Sequence, residues 1–110
     1  TQVHVVQTTA CYPIAKHFDH DFTPTKESLA TCIGDRIAHR KSNVTEIVNT
    51  TKGSGWIVSD EDIAAAQKIL EDELQESVTP NEALSVAGLI KAKKSGWSIT
   101  TPTTCIISGK

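Results

Sequence analysis

The sequence predicts an α+β fold: an antiparallel sheet of about four strands with the helices packed on one face, in a split β-α-β-like order, β-α-β-β-α-α-β. Three observations lead there. A valine-rich stretch opens the chain, three later stretches pair a helix-start signal with a single apolar stripe, and a glycine-rich turn separates two β-prone runs. The 110 residues suit one domain, residues 1–110, with no internal repeat and no linker.

The first strand is read over Gln2 to Thr8, where alternation puts Val3 and Val5 on one face and His4 and Val6 on the other. Residues 9 to 22 follow neither the strand nor the helix period and are expected to form a long loop. "TPTKESLATCIGDRIAHRKS" then offers Thr23 as a cap, Pro24 at the first helical position, and Leu29, Ile33 and Ile37 as a stripe. "VTEIVNT" and "GWIVS" read as two strands of a hairpin around "TKGSG". Ser59 with Asp62 resembles a capping box ahead of a helix whose stripe is Ile63, Ala66, Leu70 and Leu74. Thr79, Pro80 and Glu82 repeat that grammar, with Gly96 as the stop. "WSITTPTTCIIS" reads as a final strand, bent at Pro102 and lying beside the first.

Composition narrows the class. Hydrophobic residues are 38% and charged residues 22%, which excludes a disordered or a membrane-embedded chain, and no apolar run approaches the ~20 residues that span a bilayer. The net charge of −2 argues against nucleic acid as a partner. The basic groups Arg36, His39, Arg40, Lys41 and Lys91, Lys93, Lys94 fall at expected helix ends, where the dipole favours cations. The chain begins at Thr1 and contains no Met, so either a leader was removed, or the start was trimmed, or an initiator Met was clipped. Sequons at Asn43-Val44-Thr45 and Asn49-Thr50-Thr51, with three cysteines, point to a secreted glycoprotein with one disulfide; a reduced cytosolic protein is the alternative.

The stretch "CYPIAKHFDHDF", residues 11–22, concentrates the chemistry. Its aromatics and histidines make Tyr12, His17, Phe18 and His20 the candidate contact residues for a protein or cell-surface partner. A metal site would use His17 and His20 with Asp19 or Asp21, and would need a third ligand from Cys11 or His39. A nucleophilic site would use Cys11 or Cys32 activated by His17 or His20, but no strained turn or oxyanion donor accompanies them. No cofactor motif is present. Trp56 and Trp97, each after Ser-Gly, are read as anchors of the core edge rather than as a binding platform. Cys11 is expected to pair with Cys32, which would tie the loop to the following helix, with Cys11–Cys105 as the rival pairing.

The functional expectation is a small secreted protein that acts by binding a partner, as effectors, inhibitors and toxins do. A small metal-binding or Cys/His hydrolytic enzyme is one alternative, and a cytosolic adaptor or immunity-type protein is another.

Overall fold

The computed structural model describes residues 2–30, 41–99 and 103–107. The order of elements is β1 (Val5–Thr8), a single 3₁₀ turn (Ala15–His17), α1 (Lys41–Thr50), β2 (Gly55–Val58), α2 (Asp60–Leu74) and α3 (Pro80–Lys94). β1 and β2 are parallel, with Val5 opposite Gly55 and Thr8 opposite Val58. The antiparallel sheet of about four strands is therefore corrected to one parallel pair among the described residues.

The reason lies in "VTEIVNT". Its β-branched residues suggest a strand, but Val44, Ile47, Val48 and Thr51 recur at helical spacing, and this stretch forms α1, with Val48 fully buried. "TKGSG" is then the end of a helix rather than a hairpin turn. Lys52 takes a left-handed φ of 62°, and the Gly53 amide donates to Val48 O at 2.9 Å. A helix between two strands makes a crossover, and a crossover brings the second strand in parallel.

Two further elements differ from the sequence reading. Residues 23–30 are not helical, despite Thr23 and Pro24: the Thr25 amide donates to Thr9 O at 3.0 Å and the Leu29 amide to Asp60 Oδ1 at 2.9 Å, so two amides of this segment are bound to distant parts of the chain rather than to a helix. Ile33 and Ile37 lie outside the described residues. Residues 103–107 form no strand.

Local capping is as the sequence indicates. Ser59 and Asp62 close a reciprocal box at α2, and Thr79 and Glu82 close another at α3. Gly96 follows α3 at φ 89°. Ile63, Ala66 and Leu70 are buried, whereas Leu74 is exposed.

The sheet has a different layer on each face. Val6 packs on Gly88 of α3, where a Cβ would overlap the Val6 methyls, so only glycine permits this close crossing. Val58 joins Ile63, Ala66, Leu70, Ala83, Leu84 and Ala87 in the core between the sheet, α2 and α3. The small residues on α3 let it approach that closely. On the opposite face, Gly55 lies under Ala15 and Phe18; a Cβ there would stand 2.9 Å from Phe18 Cδ2. The sheet is thus sandwiched between the α2/α3 pair and the 3₁₀ segment, which is an α/β layering rather than helices on one face only.

Candidate functional site

The loop that follows β1 crosses the sheet from one edge to the other, and each step of its path is held by a polar contact. Thr8 and Cys11 exchange backbone hydrogen bonds at 3.3 and 3.2 Å on the outer side of β1. The Gln7 side chain accepts from the Ile14 and Ala15 amides at 2.9 and 2.8 Å, which fixes the start of the 3₁₀ turn over the sheet. Phe18 then lands on Gly55. Tyr12 and Phe22 meet edge to face at 4.7 Å, and the Thr9 and Thr25 hydroxyls bond at 2.8 Å, closing the loop on itself.

Asp19 ends this path at the outer edge of β2. Its Oδ2 accepts from the Ile57 amide at 2.8 Å and from Lys91 Nζ at 2.6 Å, while its Oδ1 accepts from the Asp21 amide at 2.9 Å. Lys91 also donates to Ile57 O at 2.6 Å and Asp21 O at 2.7 Å. One ion pair therefore satisfies both the N–H and the C=O of Ile57, the groups a neighbouring strand would otherwise bind. The pair is largely withdrawn from water, the Asp19 side chain being 5% exposed and that of Lys91 12%. Burial pushes the Asp19 carboxyl up, but the Ile57 amide, Lys91 and the Asp21 amide together outweigh it and hold the carboxyl below its ordinary value.

The four predicted contact residues divide into two kinds. His17 and His20 are exposed, whereas Tyr12 and Phe18 are half-buried. His17 opens onto a shallow cavity of about 540 Å³ that it shares with Ser42, Thr45, Glu46, Asn49 and Thr50 of α1. Asp19 turns inward to Lys91, away from any role with the histidines. Among the described residues no three His, Cys, Asp or Glu side chains are grouped to hold a metal ion; His39 lies outside them. Cys32 also lies outside the described residues, and Cys11, its expected partner, forms no disulfide in this structure. No disulfide joins Cys11 to Cys105. Burial pushes the Cys105 thiol up, against a smaller opposite effect of the Ser85 hydroxyl.

A second cavity, of about 620 Å³, opens at the carboxyl ends of β1 and β2. Its lining mixes Asp21, Asp60 and Glu61 with Lys91 and Lys94, beside Phe22. With Lys91 committed to Asp19, the carboxylates of Asp21, Asp60, Glu61 and Asp62 outnumber Lys94, so the cavity is acidic overall, three of those carboxylates belonging to the first turn of α2.

The parallel ladder also shows which backbone groups point outward. The Val5 amide donates inward to Ser54 O at 3.1 Å and the Thr9 amide to Val58 O at 3.2 Å, so Val5, Gln7 and Thr9 face β2 while Val6 and Thr8 face away. Thr8 is taken by Cys11. The N–H and C=O of Val6 meet no partner among the described residues. Among the described residues, the sheet therefore has one edge sealed by Asp19 and Lys91 and one edge, at Val6, that nothing covers.

Trp56 is buried and Trp97 half-buried, and their rings pack edge to face at 5.7 Å, so the pair anchors the core edge as the sequence reading expects. No helix among the described residues is long and apolar enough to cross a membrane. Comparison with protein-family models and with curated proteins finds no match for this chain.

The functional weight of Asp19 and Lys91 has no local signal. Asp19 sits within a string that suggests metal ligands, and Lys91 within a cationic helix end, yet the two carry the sealed edge together.

Proposed function

We propose that this chain acts by binding a partner protein, and that it takes an extended segment of that partner onto the open edge of β1. The observation that carries this reading is the difference between the two sheet edges. An edge strand is a template for another chain, and proteins cover edges that must stay solitary. At Ile57 the cover is an ion pair; at Val6 the described structure has none.

Exposed apolar side chains support a contact surface of some size. Ile106 is 78% exposed and Ile107 43%, and Leu29, Ile47, Ile69 and Leu74 are exposed as well. The exposed His17 and His20 add polar contacts at the loop. A secretory route belongs to the same proposal, since the acceptor residues Asn43 and Asn49 both stand exposed on α1.

The test uses a displayed library of random seven-residue peptides and the variant Val6→Pro. Proline removes the outward N–H without touching the inward ladder. Enrichment of alternating, β-branched peptides whose binding is lost in Val6→Pro is the expected result. Peptides that bind Val6→Pro as tightly as the parent chain, or no enrichment at all, reject edge addition. Retained far-UV circular dichroism shows that the variant is folded. Should it not fold, N-methylation of Val6 by chemical synthesis removes the same donor with a smaller backbone constraint.

A further inference from the structure

His4 ties the N-terminal segment to β2 through one unprotonated nitrogen, and its other nitrogen reaches the segment after α3 by way of Gln2. Trp56 Nε1 donates to His4 Nδ1 at 3.1 Å, and the Ser54 amide donates to the same atom at 3.3 Å. Indole and amide N–H groups are donors only, so Nδ1 must carry the lone pair and the ring proton sits on Nε2. Nε2 faces Gln2 Oε1 at 3.2 Å, and that oxygen also accepts from Trp97 Nε1 at 3.3 Å. The imidazole stacks on Trp56 at 6.3 Å and 15°, and meets the edge of Trp97 at 5.0 Å and 86°. Gln2, His4, Trp56 and Trp97 thus form one closed polar and aromatic set that joins the N-terminal segment, β2 and the segment after α3.

We propose that His4 is a proton-operated latch, neutral when closed, whose protonation at Nδ1 releases the segment Gln2–His4 and Trp97 from Trp56. A proton on Nδ1 occupies the lone pair and points an N–H at two N–H donors. Trp56 Nε1 and Ser54 N then lose their acceptor together. The groups that face the ring among the described residues are Gln2, Trp56, Trp97 and the Ser54 amide; none carries a charge to compensate an imidazolium. Stacking on Trp56 offers little in return, because a centroid distance of 6.3 Å is at the outer limit of a cation–π contact. Burial acts in the same direction, holding the imidazole below its ordinary value of 6.5. This latch is independent of strand addition at Val6.

The test follows the two indole Nε1–H resonances and the imidazole nitrogens of the full chain by nuclear magnetic resonance between pH 8 and pH 4. The expected result is a bare Nδ1 at neutral pH and a His4 titration below 6.5. Both indole resonances should shift with that titration. In His4→Gln the indole response to pH should vanish. A proton on Nδ1 at neutral pH, a His4 midpoint at or above 6.5, indoles that do not follow His4, or a response that persists in His4→Gln each overturns the latch. If His4→Gln does not fold, the tautomer and the coupled indole titration of the parent chain decide the matter alone.

Discussion

Lys91 Nζ stands 2.6 Å from Asp19 Oδ2, although 72 residues separate them in the chain, and between them they close both backbone groups of Ile57. A buried ion pair is no automatic source of stability, since desolvation opposes the attraction. Removing one partner is different, because the other is left charged and buried. The relationship therefore predicts asymmetric mutational effects.

Asp19→Ala or Lys91→Met alone should destabilise the fold by about 3 kcal/mol, and the double variant by clearly less than the sum. Urea unfolding of the three variants measures this. Additive losses would show that the two side chains act separately. Because the pair also covers the β2 edge, the single variants should aggregate more readily at equal fraction folded, which light scattering reads.

Stability should fall in two steps on acidification. The folded state holds His4 below 6.5, so the unfolded chain binds the proton more readily, and stability that is complete above 6.5 is lost as the pH falls through the lowered value. Asp19 is held below its ordinary 3.8, so its contribution is complete above 3.8 and disappears only as the pH falls through a still lower value. Thermal unfolding across pH 8 to 2 checks this: His4→Gln should flatten the first step and Asp19→Asn the second, each leaving the other in place.

Gly88→Ala should lower stability by about 1–3 kcal/mol through overpacking against Val6, even though alanine is the better helix former by ~1 kcal/mol. The Val6→Ala change in the same chain should recover part of the loss. A stabilised Gly88→Ala protein would mean that α3 does not cross β1 at this point.

Phe18→Ala should cost about 1–2 kcal/mol, less than a fully buried phenylalanine, because its ring covers Gly55 yet stays half-exposed. His17→Ala and His20→Ala should change the unfolding free energy little, within ~0.5 kcal/mol. These three variants separate the part of the loop that supports the fold from the part left over for a partner.

Under an oxidising secretory route, peptide mapping without reduction should find Cys11 linked to Cys32. Cys105 should then react slowly with iodoacetamide at neutral pH, since burial raises its thiol. A linked peptide containing Cys105 would reverse that assignment.

What the sequence by itself determined is what neighbouring residues decide among themselves. The boxes Ser59–Asp62 and Thr79–Glu82 each span one helical turn, so the starts of α2 and α3 were legible. So were the two strands, the Ile63–Ala66–Leu70 stripe, and Trp56 as an anchor. Tertiary structure decided the rest. For "VTEIVNT", β-branched composition and helical spacing disagree, and burial of Val48 settles it as a helix. That one choice turns a hairpin into a crossover and the sheet from antiparallel to parallel. Thr23 and Pro24 carry a valid helix-start signal, but Thr9 and Asp60 bind the amides of Thr25 and Leu29, and residues 23–30 are not helical. Asp19 and Lys91 meet only because β2 lies between them. Such contacts join residues remote in the chain, and the free energy that selects them comes from desolvating and pairing groups that no short window of sequence contains together.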